Sequence, residues 1–105
     1  MQFLLDFCRN PFPDIKISAL NLTGSLCLYT WGIEAFKNTA GFLEYLLDRK
    51  TEFDKEAKYA KYSVVKLLAD SSAFDLQTSI QMRTYVNEGP YYVQTLMDVA
   101  VEGNQ

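Results

Sequence analysis

A chain of 105 residues that is 49 % hydrophobic and 22 % charged has room for one domain with a buried core and a wetted surface, which excludes a disordered or multidomain reading. Its formal charge of −3 argues against nucleic acid or an anionic membrane as partner, since both are bound by a surplus of Lys and Arg. Histidine is absent, which excludes an imidazole base, a Ser-His-Asp arrangement and an imidazole metal ligand, and no cofactor is expected.

Taken in chain order, the first ten residues crowd Phe3, Leu4, Leu5, Phe7 and Cys8 into a short helix with little polar face. Pro11-Phe12-Pro13 ends it, because each Pro lacks an N–H donor and restricts the residue before it. A helix this apolar at its first residue implies an upstream segment that covers it, with Met1 an internal start. It is no signal peptide, since a basic leader is missing and Asp6 and Arg9 interrupt the apolar run. No stretch approaches the length of a membrane span, and the expected address is the cytosol or the nucleus.

From Asp14 to Tyr29 the spacing predicts a helix. Asp14, Ser18, Asn21 and Ser25 form a polar stripe. Ile15, Ala19, Leu22 and Leu26 form the apolar stripe beside it, widened by Ile17, Leu20, Cys27 and Leu28. So narrow a polar face places this helix between two others. Cys8 and Cys27 lie among apolar residues and read as buried thiols acting as small hydrophobes rather than as a disulfide. Asn21-Leu22-Thr23 matches a glycosylation sequon, but without a secretory signal it reads as chance.

Thr30 is placed to cap a short helix to Lys37 that carries Trp31, Ile33, Ala35 and Phe36. Asn38 or Thr39 is placed to cap the next, where Phe42, Leu43, Leu46 and Leu47 repeat at helical spacing and Asp48-Arg49-Lys50 closes the element. Thr51-x-x-Asp54 resembles a capping box that opens a helix to about Ala69. Ala57, Ala60, Val64, Leu67 and Leu68 are its buried stripe. Lys55, Lys58, Tyr59, Lys61, Tyr62 and Lys66 form the opposite, solvated face, with Glu52, Asp54 and Glu56 as wet charges and Asp54–Lys58 as a helix pair. Ser72-x-x-Asp75 is a second box-like start, for a helix through Leu76, Ile80, Met82 and Val86, with strand as the rival from Thr84 to Val86. Gly89-Pro90 stops it, Gly taking a left-handed cap and Pro forbidding continuation. From Tyr91 an extended tail is expected, disordered from Val99 to Gln105.

Short and medium helices joined by tight turns, with no period-two segment, predict an all-α chain. Residues 1–90 read as about two armadillo/HEAT-like helical repeats, the C-terminal end of a longer α-solenoid, and residues 91–105 as its tail. A compact helical bundle gives much the same pattern. The five glycines form no phosphate-cradling loop and two thiols make no metal site, so the chain is read as no enzyme. Two features fit a protein partner. One is the Lys55–Lys66 face, with Lys58 and Tyr62, whose amines and rings suit an acidic protein surface, though a plain solvated face is the leading reading and base stacking by its rings the least favoured. The other is Arg83, Tyr85, Tyr91 and Tyr92 around the Gly89-Pro90 stop, residue types that anchor interfaces. Against the second stands a purely structural role, in which the tail folds back and its tyrosines seal the end of the last repeat.

Several segments carry a family likeness: Gly41-Phe-Leu-Glu-Tyr-Leu-Leu-Asp-Arg49, Asp54-Lys-Glu-Ala-Lys58, Ala60-Lys-Tyr62, Val65-Lys-Leu-Leu-Ala69, Arg83-Thr-Tyr-Val-Asn-Glu-Gly-Pro-Tyr-Tyr-Val93 and Ala100-Val-Glu-Gly103. Together with Pro11-Phe-Pro13 and the helix behind it, they resemble the proteasome non-ATPase regulatory subunit 5 family over nearly the whole chain, as the C-terminal portion of a longer protein. Ala73–Gln81 and Gln94–Val99 depart from the family pattern. The resemblance implies a helical-repeat chaperone for assembly of the regulatory-particle base. Such a chaperone binds the C-terminal region of a proteasome ATPase of the regulatory subunit 7 kind, contacts other base subunits and delays docking on the core particle. The ending Gly103-Asn104-Gln105 is not a hydrophobic-Tyr-any tail, which disfavours direct docking on the core particle. A generic helical-repeat adaptor for an unrelated protein is the alternative.

Overall fold

The computed structural model describes residues 2–52 and 54–92. Six helices occupy this span: α1 (Gln2–Cys8), α2 (Pro13–Leu26), α3 (Thr30–Lys37), α4 (Phe42–Leu47), α5 (Lys55–Ala69) and α6 (Leu76–Glu88). No strand occurs among the described residues, and Thr84–Val86, where strand was the rival, lies inside α6. Beyond Tyr92 the expected tail, with its disordered end, lies outside the described residues.

Local chemistry sets the helix starts, several of them away from the expected cap. Pro13 opens α2 at a position whose N–H would go unused, and Asp14 in the first turn suits the positive end of the helix dipole. Tyr29, not Thr30, is the N-cap of α3. Gly41, not Asn38 or Thr39, precedes α4 with φ 83° and ψ −2°, the values the third residue of a type II turn requires. That turn is closed by Phe42 N–H donating to the Thr39 carbonyl at 3.2 Å.

In both box-like motifs the acid is the cap and the hydroxyl residue is not. The Asp54 carboxylate accepts the Ala57 N–H at 3.1 Å, and that of Asp75 accepts the Thr78 N–H at 2.8 Å. Asp54 thus spends its charge on the backbone rather than on Lys58. Asp54→Ala is expected to cost about 1 kcal/mol, read as a lower urea midpoint. Ser72→Ala should stay within about 0.5 kcal/mol of the parent. At the far end, Gly89 (φ 89°, ψ 171°) has the expected positive φ but extended rather than left-handed helical ψ, a region essentially open to Gly alone. Its N–H caps the Tyr85 and Val86 carbonyls while the chain turns back.

α2 ends at Leu26 rather than Tyr29, and the first turn of α3 packs so closely on that end that Gly32 has no room for a side chain. A Cβ there would lie 2.7 Å from the Leu26 carbonyl carbon and closer still to its oxygen.

α2 packs on α1 and on α5, and α5 also on α6, while α4 touches α3, α5 and α6. The helix expected to lie between two others does so. One core joins Leu5 of α1, Leu20 of α2, Phe36 of α3, Phe42 of α4, Leu68 of α5 and Met82 of α6. Phe36 and Phe42 stack with centroids 4.8 Å apart, fixing α3 to α4.

The buried face of α2 is shifted from the expected one, and that of α5 is the expected one with Lys61 added. On α2 the polar stripe Asp14, Ser18, Asn21 and Ser25 is exposed as expected, but the buried residues are Lys16, Ala19, Leu20 and Thr23. Ile15 and Leu22 are 42 % and 50 % exposed. On α5 Ala57, Ala60, Val64 and Leu68 are buried as expected, Leu67 is half-buried, and Lys61 is buried where a solvated face was read. On α2 a shift of one residue, about 100°, brings Lys16 in place of Ile15 and Thr23 in place of Leu22, and the cost of burying Lys16 and Lys61 is offset by the acid they share. Phe3 and Phe7 of α1 and Ile15 and Leu22 of α2 are left as an open apolar strip along one side. Both cysteines are free and buried. Burial raises the Cys27 thiol to about 11 and also raises that of Cys8.

Candidate protein-binding groove

The groove is held in place by a buried ionic cluster between α2, the α4–α5 connection and α5. Glu52, expected to be solvated, is 4 % exposed, and its carboxylate takes an ion pair from Lys16 and another from Lys61 at 3.4 Å. Lys61, 1 % exposed, also donates to the Asp48 carbonyl and to Thr51 Oγ1 at 2.7 Å, and lies 4.3 Å from the centroid of the Tyr45 ring. Tyr45 in turn donates its hydroxyl to the Cys8 carbonyl at 3.0 Å, tying α1 to α4. Burial alone would raise the Glu52 carboxyl, but the hydrogen bonds from Lys16 and Thr51 and the charge of Lys61 outweigh it and hold it below its usual range. Burial pulls the Lys61 ammonium down to about 8 against the opposing pull of Glu52.

This cluster anchors the connection that carries Arg49. The Arg49 guanidinium lies 3.8 Å from the centroid of the Tyr85 ring and 5.2 Å from that of Tyr92. Its Nη2 donates to the Tyr85 carbonyl at 2.8 Å and lies 3.2 Å from Glu88 Oε1. Around it opens a cavity of about 560 Å³ between the α4–α5 connection and α6. Leu47, Ile80 and Tyr85 give it an apolar floor, and Arg49, Lys50 and Lys58 give it a basic edge. That volume is in the range of pockets that take a side chain or small ligand.

Of the residues singled out from sequence, Lys58, Tyr85 and Tyr92 meet in this one groove. Tyr85 is buried and presents only part of its ring, whereas Tyr92 is 40 % exposed. Tyr91 points to the other side of α5, where Lys55 Nζ lies 5.4 Å from its ring centroid. Tyr62 is half-buried against the core beside Tyr59, and Arg83 stands exposed on α6 outside the groove. Gly89 and Pro90 turn the chain so that Tyr92 folds back over α5, with Pro90 and Tyr92 bordering Glu52 and Lys61. Sequence reasoning missed Arg49, read only as a basic helix end, and the Lys16–Glu52–Lys61 cluster. Lys61 stands four residues after Ala57 and three before Val64, inside an apolar stripe, and that spacing was the available signal.

The groove holds no activated nucleophile or imidazole base, and among the described residues no three Cys, Asp or Glu side chains are placed to hold a metal. Its lining offers aromatic rings, an apolar floor and cations. The whole chain, residues 1–105, matches the profile of a family described as proteasome non-ATPase 26S subunit. The chain belongs to this family. It is 41 % identical over 101 residues to the 26S proteasome non-ATPase regulatory subunit 5 of Drosophila melanogaster, covering 96 % of this chain and 20 % of that protein. To the proteins of the same name from Bos taurus and Homo sapiens it is 40 % identical over 107 residues, covering 98 % of this chain and 21 % of each. It thus spans about a fifth of the length of the proteasome non-ATPase relatives it matches. No solved structure matches it.

Proposed function

We propose that this member of the proteasome non-ATPase family is part of a non-catalytic chaperone for assembly of the regulatory-particle base. It holds an ATPase subunit of the regulatory subunit 7 kind and delays docking of the base on the core particle, in the cytosol and the nucleus. The observation that carries the reading is the aromatic, basic groove around Arg49, built for recognition, in a chain whose relatives are named non-ATPase regulatory subunits. The helices are read as about two armadillo/HEAT-like repeats ending a longer solenoid. The open strip of Phe3, Phe7, Ile15 and Leu22 supports that, because such repeats bury one another's apolar faces. So does the greater length of the relatives.

Immobilised regulatory subunit 7 ATPase is expected to capture the protein that carries this chain and to lose it when residues 1–105 are deleted. Capture undiminished by the deletion would reduce this chain to a structural cap. Failure of the intact protein to bind, with retrieval of a different complex, would favour a general adaptor instead.

A further inference from the structure

Glu88 stands in an unfavourable place for a carboxylate. It is the last residue of α6, where the helix dipole is negative, and its side chain is 31 % exposed. Among the described residues its one ion pair is with Arg49. Arg49 does not depend on Glu88 in return, because the Tyr85 ring and carbonyl already hold the guanidinium in the same position. Glu88 is therefore the loosest ligand of a well-fixed cation.

The charges around it point the same way. Lys50 and Lys58 line the groove and make no ion pair among the described residues. The Asp48 carboxylate is engaged by the Lys50 N–H at 2.9 Å. With Glu88 swung out, three cations face one acid, a net charge of +2 in the lining, on a chain whose overall charge is −3. Beneath them Ile80, 54 % exposed, and Leu47 offer an apolar floor.

We propose that Glu88 is an internal stand-in for a partner's carboxylate, and that the groove takes an acidic segment bearing an aromatic or branched apolar side chain. The incoming carboxylate replaces Glu88 on Arg49, further acids meet Lys50 and Lys58, and the apolar side chain settles on Leu47 and Ile80 beside Tyr92. This rests on the reading of the groove as a protein-binding surface. A contact made by displacement is weaker than an open site would give, and it selects acidic segments over neutral ones.

The test uses a short fluorescein-labelled peptide of Glu and Asp flanking one Phe, followed by fluorescence anisotropy, with circular dichroism confirming that each variant is folded. Glu88→Gln should tighten binding about fivefold, because the competing charge is gone. Lys50→Glu with Lys58→Glu should weaken it tenfold or more, as should added salt. Lys50→Glu alone, at an exposed position, should give part of that loss. Equal binding of a peptide with Lys in place of the acids would overturn the proposal. So would unchanged or weaker binding by Glu88→Gln, or self-association that fills the groove with a second copy. Capture of the ATPase that is indifferent to Lys50→Glu and Lys58→Glu would overturn the groove assignment and leave the proposed function standing. Peptide binding without capture of the ATPase would do the reverse.

Discussion

Glu52→Gln is expected to destabilise the chain by about 3–5 kcal/mol, because it leaves two buried ammonium groups without their counter-charge. Lys16 and Lys61 share this one carboxylate, so the acid is the scarcer partner. Lys61→Met should cost less, since Glu52 keeps Lys16, and Glu52→Gln combined with Lys61→Met should cost less than the sum of the two. Urea midpoints at neutral pH measure all three. A Lys61→Met cost equal to or above that of Glu52→Gln would sink the argument.

The same cluster sets two limbs of the pH profile. The folded Glu52 carboxyl is held below its unfolded value of 4.5, so its contribution is present above that value and is lost as pH falls through the lower folded one. Lys61 is depressed to about 8 from 10.5, so between these values the unfolded chain binds more protons and this group raises stability as pH climbs. Above about 9 the raised Cys27 thiol works in the opposite direction, because the unfolded chain then gives up a proton that the folded one keeps.

Gly32→Ala is the second large effect, and its sign runs against helix propensity. In an open helix the change would gain about 1 kcal/mol. Here the new methyl meets the Leu26 backbone carbonyl at the α2–α3 corner, and backbone, unlike a long side chain, has little room to give. Overpacking of this kind costs about 3 kcal/mol, so a net loss of about 2 kcal/mol is expected as a lower melting temperature. Gly24→Ala is the matched control. A Cβ at Gly24, inside α2, would sit 3.7 Å from Val64 Cγ2 in ordinary contact, so that variant should be neutral or more stable. Equal losses at the two positions would show that the corner is not the cause.

Helix existence was legible because it rests on local chemistry: Pro11 and Pro13, the acids at 54 and 75, and the Gly89-Pro90 stop all act within a few residues. Which face each helix buries was legible only in part. Ile15 and Leu22 were expected inside and Lys61 outside, and the structure reverses both. On α2 hydrophobicity alone favours the expected face, and the burial of Lys16 turns on an ion pair with Glu52, 36 positions away, which no window along the chain contains; on α5 Lys61 already stands at core spacing, and its charge concealed it. Of the groove, Tyr85, Tyr92 and Lys58 were found by residue type. Arg49 was not, because its role depends on α6 folding back across it.

The buried Lys–Glu–Lys cluster also bears on how the chain is made. Along this stretch α1 and α2 are synthesised before α5, and the ammonium of Lys16 acquires its carboxylate only when Glu52 has emerged, with Lys61 following. At roughly 5–20 residues per second, the stretch from Leu26 to Lys61 takes about 2–7 seconds. During that interval Leu20 has no α5 to pack on and Lys16 has no carboxylate, so α1 and α2 complete their packing only after α5 has emerged.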